Sequence, residues 1–343
     1  MKRRQVLVSM ATAATAAALS GLSPAQAASP KSTSGAKAAR RIDTHQHIVP
    51  PFYGQWLESR GITAGGLPIP KWSAEAALDL MDSNGIESGI LSVSTPGVHL
   101  GNDAEARVKA KEVNEYCAEV VDKYPGRFGF FATLTLPDVE GAIEQAEYAL
   151  THLKADGVIL LANVRGTYVG TPEWDPLLQA LDRHQARVFI HPSELPAPEV
   201  PGIPPYAADF LLDTTRAALN LAKRGCLERY PNLKIILSHA GGFVPYAAER
   251  MARICSADGS TEGGIRRLRQ FYFDTALSSS AYALPALLAF AKPENITFGS
   301  DWPYANKERS SHFTGLLDAY GFTDAQRSAI NRDNALRLFP RLA

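Results

Sequence analysis

Four short β-type runs in this 343-residue sequence each end in a side chain that can bind a metal ion. The first run leads into His45 and His47, and the others lead into His191, His239 and Asp301. Imidazole nitrogens and carboxylate oxygens are common ligands of divalent metals, and the carboxyl ends of parallel strands meet at one edge of a sheet. This repetition predicts a metalloenzyme whose strands bring their ligands to one place.

The spacing of His45 and His47 puts both imidazoles on one face of the first strand, because alternate residues of a β-strand point the same way. Each candidate ligand also has an ordinary explanation, since a histidine can close a strand or pack in a core and Asp301 can cap a turn. Candidate ligands that follow four separate predicted strands are a more specific signal for a metal site than any one of them alone.

A single ion fits this set better than a pair of ions. The fourth predicted strand ends in Leu161-Ala162-Asn163 and offers no lysine or glutamate to bridge two metals. Zinc suits a site rich in imidazole, and manganese is the alternative. Asp274 also ends a predicted strand, where a carboxylate either orients a ligand imidazole or serves the fold alone.

Strands and helices alternate along the chain and must position these side chains. Apolar runs predict eight strands, at residues 41–44, 89–93, 128–134, 157–161, 187–190, 234–238, 271–273 and 296–298. Helical periodicity and end signals predict helices at residues 74–84, 103–124, 139–153, 176–184, 209–224, 245–255, 284–290 and 323–338. This alternation predicts an α/β fold, a single-domain (β/α)8 TIM barrel, with a doubly wound open sheet as the alternative because periodicity does not show closure.

The N-terminus has the features of an export signal. Arg3 and Arg4 precede a short Ala-rich apolar stretch that closes on the cleavage-site sequence Ala25-Gln26-Ala27. The paired arginines predict a twin-arginine signal over residues 1–27, with an ordinary secretory signal as the alternative. The stretch is too short for a stable membrane anchor. We therefore expect an exported, periplasmic or extracellular enzyme.

Composition and charge limit the classes of protein that fit this sequence. Residues 28–39 are Ser, Lys, Ala and Gly without apolar periodicity, which predicts a flexible tether before a barrel at residues 40–343. The chain has 35 basic and 35 acidic residues, so it has no basic excess for nucleic acid. Three cysteines without a Cys-x-x-Cys pair predict buried thiols.

The strand-end motifs resemble the decarboxylase branch of the amidohydrolase superfamily, the group of aminocarboxymuconate-semialdehyde decarboxylase and the salicylate-type decarboxylases. The resemblance covers residues 41–339. It is carried by the segments Ile42-Asp43-Thr44-His45-Gln46-His47, Pro70-Lys71-Trp72-Ser73, Ser92-Val93-Ser94-Thr95-Pro96-Gly97, Ser238-His239-Ala240-Gly241-Gly242 and Gly299-Ser300-Asp301-Trp302-Pro303.

This resemblance implies a role for each candidate residue. The implied metal ligands are His45, His47, His191 and Asp301. His239 would act beside the metal, together with Asp301 as a second catalytic residue. Arg250 would reach the active site of a neighbouring subunit in a homodimer and bind the substrate carboxylate there.

The implied reaction is non-oxidative decarboxylation of a small aromatic acid such as 6-methylsalicylate. Asp301 is the expected proton donor to the ring carbon, and His239 would polarise the substrate or a water. Pro68 stands where the aminocarboxymuconate enzymes have an arginine, which argues against a dicarboxylate substrate. The alternative is a metal-dependent hydrolase, a lactonase or amidase, with Asp301 as the base for a metal-bound water. A non-catalytic binding protein on a barrel scaffold is a third hypothesis.

Overall fold

A curled sheet of parallel strands organises the described part of the chain. The computed structural model describes residues 40–343, so the predicted signal at 1–27 and tether at 28–39 lie outside the described residues. The strands are β1 Arg41–His47, β2 Ile86–Ser92, β3 Phe128–Thr133, β4 Gly157–Leu161, β5 Asn163–Val164, β6 Thr167–Tyr168, β7 Arg187–His191, β8 Lys234–Leu237 and β9 Tyr272–Phe273. Seven of them form one sheet in the order β1-β2-β3-β4-β7-β8-β9, and β5 and β6 form a small separate hairpin. The fold is therefore mixed α/β around a parallel sheet.

Helices connect successive strands of this sheet. They are α1 Pro51–Glu58, α2 Ala74–Ser83, α3 Asp103–Lys123, α4 Val139–Thr151, α5 Asp175–Arg183, α6 Asp209–Lys223, α7 Cys226–Arg229, α8 Val244–Cys255, α9 Thr261–Leu268, α10 Leu284–Phe290, α11 Lys307–Ala319, α12 Asp324–Ser328 and α13 Asn334–Leu338. Within residues 40–343, no helix is both long and apolar enough to cross a bilayer.

The eighth predicted strand, residues 296–298, lies between the two edges of the sheet. It forms isolated parallel bridges from Ile296 to Phe273 in β9 and from Phe298 to Asp43 in β1. The backbone N–H of Thr297 donates to the carbonyl of Phe273 at 2.8 Å. Residues 296–298 therefore pair with the sheet through two isolated bridges and do not form a regular strand, since the neighbouring strand β9 has only two residues.

A small apolar cluster fills the inside of the curled sheet. It combines one residue from each of six strands with residues of the C-terminal segment: Ile42, Ile90, Phe131, Ile159, Phe189, Ile236, Ala335, Leu338, Phe339 and Leu342. The rings of Phe131 and Phe189 stack with their centroids 5.5 Å apart. Burial of each such large side chain contributes about 1.5–3 kcal/mol, so this cluster is a rigid base for the strand ends above it.

Most predicted helices are confirmed with bounds that differ by one or two residues. The predicted helix at 323–338 is instead α12 and α13 with a π turn at Ala329–Asp333 between them. Its start is as predicted, because Thr323 and Gln326 form a capping box. Four helices, α1, α7, α9 and α11, were not predicted. The three cysteines are buried free thiols, as expected.

Candidate metal centre and active site

Four of the predicted ligands converge at the carboxyl ends of the strands. His45 and His47 end β1, His191 ends β7, and Asp301 follows the 296–298 run. One donor atom from each lies within 4.8 Å of all the others, and all four residues are buried. The structure therefore brings together the whole set that the sequence assigned to one metal ion.

The separations of the donor atoms fit a shared ion. His45 Nε2 lies 3.0 Å from His47 Nε2. Asp301 Oδ1 lies 3.2 Å from His45 Nε2 and 3.1 Å from His47 Nε2. Two ligands each about 2.0–2.1 Å from one ion in tetrahedral geometry lie roughly 3–3.5 Å apart. A mononuclear divalent site is consistent with this arrangement.

The second nitrogen of each ligand imidazole has a partner that fixes the ring. His45 Nδ1 contacts Asp274 Oδ2 at 2.7 Å, and His47 Nδ1 contacts Ser92 Oγ at 3.0 Å. His191 Nδ1 contacts the carbonyl oxygen of Pro192 at 2.9 Å. A proton on Nδ1 leaves the Nε2 lone pair free for a metal, which is the tautomer that a ligand histidine needs.

Asp274 links the ligand shell to the backbone around it. Its Oδ1 accepts hydrogen bonds from the N–H of His239 at 2.9 Å and of Ala276 at 3.0 Å, while Oδ2 meets His45. The sequence left two roles open for Asp274, to orient a ligand imidazole or to serve the fold alone. In the structure it contacts the imidazole of His45, and it also binds two backbone N–H groups.

His239 lies beside the four ligands. Its Nε2 is 3.3 Å from Asp301 Oδ2, and its Nδ1 has no hydrogen-bond partner among the described residues. His239, Ala240 and Asp301 have φ values of 51°, 56° and 61°, a left-handed conformation that is unfavourable for residues other than glycine. Backbone strain of this kind is typical of sites where a side chain must point in one functional direction.

A glycine allows the last ligand to approach the first strand. A Cβ atom on Gly299 would lie 2.8 Å from His45 Cβ and 3.1 Å from Ala276 Cβ. Any larger residue would push the 296–298 run away from β1. The glycine that precedes Ser300-Asp301 is therefore required for the close packing that brings Asp301 to the histidines.

Burial and mutual attraction shift the pKa values of these groups in opposite directions. Burial lowers the pKa of His47, and burial together with the neighbouring histidines lowers the pKa of His191 well below its usual range. Burial opposes charge on His45 as well, but the carboxylates of Asp274 and Asp301 raise its pKa to about 10. Burial would raise the pKa of Asp301, yet its attraction to His45 and its hydrogen bonds with the histidines hold it well below the ordinary value.

A cavity of about 500 Å³ opens beside the metal centre. Its polar residues include His191, His239, Asp301, Thr95 and Tyr304. Its apolar lining residues carried no sequence signal for function. They come from loops, from the 3-10 turn at Pro205–Ala207 and from α6: Ala64, Leu67, Tyr206, Ala207, Phe210, Leu211, Leu277 and Ala305. The cavity can hold a single aromatic ring with its polar groups toward the metal ligands.

Arg250 lies outside this cavity. It is exposed on α8, in a surface groove that also includes Tyr246, Arg269 and Phe290. Tyr246 is 84% exposed and Ile254 on the same helix is 57% exposed. Within one chain, Arg250 therefore does not reach the metal centre.

Comparison with known proteins decides the family. A model of the family described as amidohydrolase matches residues 42–341. The chain belongs to the amidohydrolase family. Among curated amidohydrolase relatives, a 6-methylsalicylic acid decarboxylase of Penicillium expansum is 37% identical, with 88% of this chain and 97% of the relative covered. A gamma-resorcylate decarboxylase of Rhodococcus jostii is 28% identical over 87% of this chain and 98% of its own.

Solved structures agree with this amidohydrolase assignment. A crystal structure of a protein named amidohydrolase II is 32% identical, with a TM-score of 0.83 over 88% of this chain and 99% of the other. A dihydroxybenzoic acid decarboxylase of Polaromonas sp. JS666, solved with manganese and 2-nitroresorcinol, has a TM-score of 0.70 at 23% identity over 88% of this chain and 97% of its own. The second likeness shows the shared fold.

Replacing His47 with alanine should weaken divalent-metal binding by more than the roughly 10- to 100-fold cost of losing an outer partner, because it removes one donor of the set. Metal content per chain, measured by mass spectrometry after dialysis against a chelator, checks this outcome. His312→Ala is the matched control, since His312 is exposed on α11. Equal metal content in both variants would show that His47 is not a ligand.

Proposed function

We propose that this protein is a metal-dependent, non-oxidative decarboxylase of a salicylate-like aromatic acid. The observation that carries the proposal is the cluster of His45, His47, His191 and Asp301 beside a cavity of single-ring size. The relatives named decarboxylases support it, since one acts on 6-methylsalicylic acid at 37% identity. A 6-alkylsalicylate is therefore the substrate class that we expect.

Decarboxylation places a proton on the ring carbon that carries the carboxylate, and the C–C bond then breaks to release CO2. When bound, a divalent cation supplies the positive charge that orients the carboxylate and ortho hydroxyl and stabilises a phenolate. Asp301 is the proposed acid, because it lines the cavity and lies within 3.3 Å of His239. The neighbouring histidines hold its pKa well below the ordinary value, and the negative charge of a bound substrate would raise that pKa toward the protonated form that can donate.

His239 would hold the substrate beside Asp301. Its Nδ1 has no partner among the described residues, so it is available for a hydrogen bond with a substrate oxygen or a water. Asp274 would act through His45 and the His239 backbone, which it fixes with its two oxygens. We therefore assign Asp274 a positioning role.

Three histidines and one carboxylate favour zinc as the resident ion. Manganese is the alternative, since it is present in the structure of the Polaromonas decarboxylase. We also propose that the 296–298 run acts as the eighth strand of a closed (β/α)8 barrel, supported by its bridges to β9 and to β1.

We propose that the protein works as a homodimer in which Arg250 binds the substrate carboxylate in the partner's site. Arg250 is exposed on α8, and the exposed Tyr246 and Ile254 on that helix provide apolar surface for a second copy. A guanidinium is well suited to pair with a carboxylate.

Asp301→Asn should lower kcat/KM for CO2 release from 6-methylsalicylate by about 10³-fold or more, because it removes both a metal donor and the proposed acid. Gas or product analysis with metal-loaded enzyme checks the value, with Asp324→Asn as a control on the surface helix α12. Full turnover by Asp301→Asn would refute its assignment. Ring opening of lactones without release of CO2 from any benzoate would instead support a hydrolase.

Mixing Arg250→Ala and Asp301→Asn subunits tests the role of Arg250 in trans. Neither variant alone should be active, but a hybrid dimer holds one site with an intact Asp301 and an intact partner arginine. Random mixing should restore up to about a quarter of wild-type activity, because about half the dimers are hybrids and each has one working site. No recovery after verified subunit exchange would contradict the proposal.

We propose that residues 1–27 direct export through the twin-arginine route, on the basis of Arg3, Arg4 and the Ala25-Gln26-Ala27 site. Replacing both arginines with lysine should leave the protein in the cytoplasmic fraction, since that route depends on the arginine pair. Immunoblots of cell fractions measure this outcome. Unchanged export of the double variant would favour an ordinary secretory signal.

A further inference from the structure

A tight turn from the loop before α2 forms part of the cavity wall. Ala64 and Leu67 exchange two backbone hydrogen bonds, of 2.9 and 3.0 Å, and both residues line the cavity. The central residues Gly65 and Gly66 have φ values of +57° and +76°, the geometry of a two-residue hairpin turn with both central residues left-handed. We call these four residues the 64–67 turn.

Glu194 ties the 64–67 turn to the strand end that carries a metal ligand. Its Oε1 accepts the N–H of Gly65 at 2.8 Å, and its Oε2 accepts the hydroxyl of Thr95 at 2.8 Å. Glu194 follows His191 by three residues and also accepts the hydroxyl of Ser193 at 3.1 Å. The turn is thereby held in a fixed position relative to the ligand shell.

Phe210 on α6 presses on the same turn. A Cβ atom on Gly65 would lie 2.5 Å from Phe210 Cζ, so the ring packs directly on the glycine backbone. Phe210 also lines the cavity, and its ring centroid is 6.3 Å from that of His191. Ala64, Leu67 and Phe210 thus form one apolar wall that begins next to a metal ligand.

The three side chains of this wall offer no hydrogen-bond donor or acceptor. A ring hydroxyl packed against them would lose its hydrogen bonds with water and form no new ones. A methyl group in the same place would gain apolar contact and lose no hydrogen bond. Such a wall favours an aromatic acid whose remaining substituent is apolar.

We infer that the 64–67 turn and Phe210 are the specificity element of the active site, selecting a salicylate with an alkyl substituent over one with a second hydroxyl. Glu194 is the positioning residue that holds this element. The inference rests on the proposed decarboxylase function, and it adds the residues that choose among substrates of that class.

Leu67→Ala tests the wall directly. The wild type should have a higher kcat/KM for 6-methylsalicylate than for 2,6-dihydroxybenzoate. In the variant the ratio of these two values should fall roughly 10-fold or more, because that is the discrimination that one or more methylene groups provide in an apolar pocket. Leu67→Asn should shift the preference further toward the dihydroxy acid, because it adds polar partners. Ile62→Ala is the matched control, since Ile62 belongs to the same loop and does not line the cavity.

Glu194 is tested by a conservative pair of variants. Glu194→Gln keeps an acceptor for the Gly65 N–H, and its amide N–H can donate to the Thr95 hydroxyl oxygen in place of the bond that this hydroxyl now donates, so it should retain the wild-type preference. Glu194→Leu should lose the preference while metal content and the thermal unfolding temperature stay close to those of Glu194→Gln. A purely structural role would instead lower turnover of both acids equally.

The outcomes separate this inference from the function on which it rests. Turnover of both acids with an unchanged preference in Leu67→Ala would overturn the specificity assignment and leave decarboxylation standing. Absence of CO2 release from either acid by the wild type would refute the proposed function. In that case, calorimetric binding of the two acids to metal-loaded wild type and Leu67→Ala still measures the preference of the wall, and equal preference in both proteins overturns it.

Discussion

The structure depends on burying several ionisable side chains in one place, at the base of a cavity. A buried charge is costly unless another group compensates it, and a half-satisfied network is worse than an apolar core. Here Asp274 and Asp301 meet His45 from two sides, and their negative charges raise the pKa of that imidazole. A divalent cation held by His45, His47, His191 and Asp301 would supply the positive charge that compensates the Asp301 carboxylate. The close grouping of acids and imidazoles thus fits a site that binds one divalent cation.

The strand ends carry the candidate metal ligands, and other segments form the cavity wall. The ligands stand on β1, on β7 and at the bridged 296–298 run, above an interior cluster that includes Phe189, whose ring centroid is 4.8 Å from that of His45. This base cannot shift without disturbing packed rings, so the donor geometry is rigid. The cavity wall comes from helix α6 and from loops, and loops tolerate change and commonly set substrate choice. The 64–67 turn is a loop that has been fixed by Glu194 and Phe210.

Sequence patterns predicted the regular elements well and the irregular ones poorly. Strands β2, β3, β4, β7 and β8 follow continuous apolar runs, which identify buried parallel strands directly. Helix α9 was missed because Gly263 and Gly264 weaken its helical signal. The latter glycine is needed for packing, since a Cβ there would lie 1.8 Å from the Ala252 carbonyl oxygen. Tertiary contact in this case outweighed local propensity.

The sequence by itself determined the donor types, their places at strand ends and the family, because these follow from local pattern and motif. Only the tertiary structure decided how the donors are arranged. The contact between His45 and Asp274 joins residues 229 positions apart, and no local pattern encodes it. The same holds for the pairing of Glu194 with Gly65 and for the exposed position of Arg250 on α8. The curl of the parallel sheet brings its strand ends together, and that curl is a property of the whole chain.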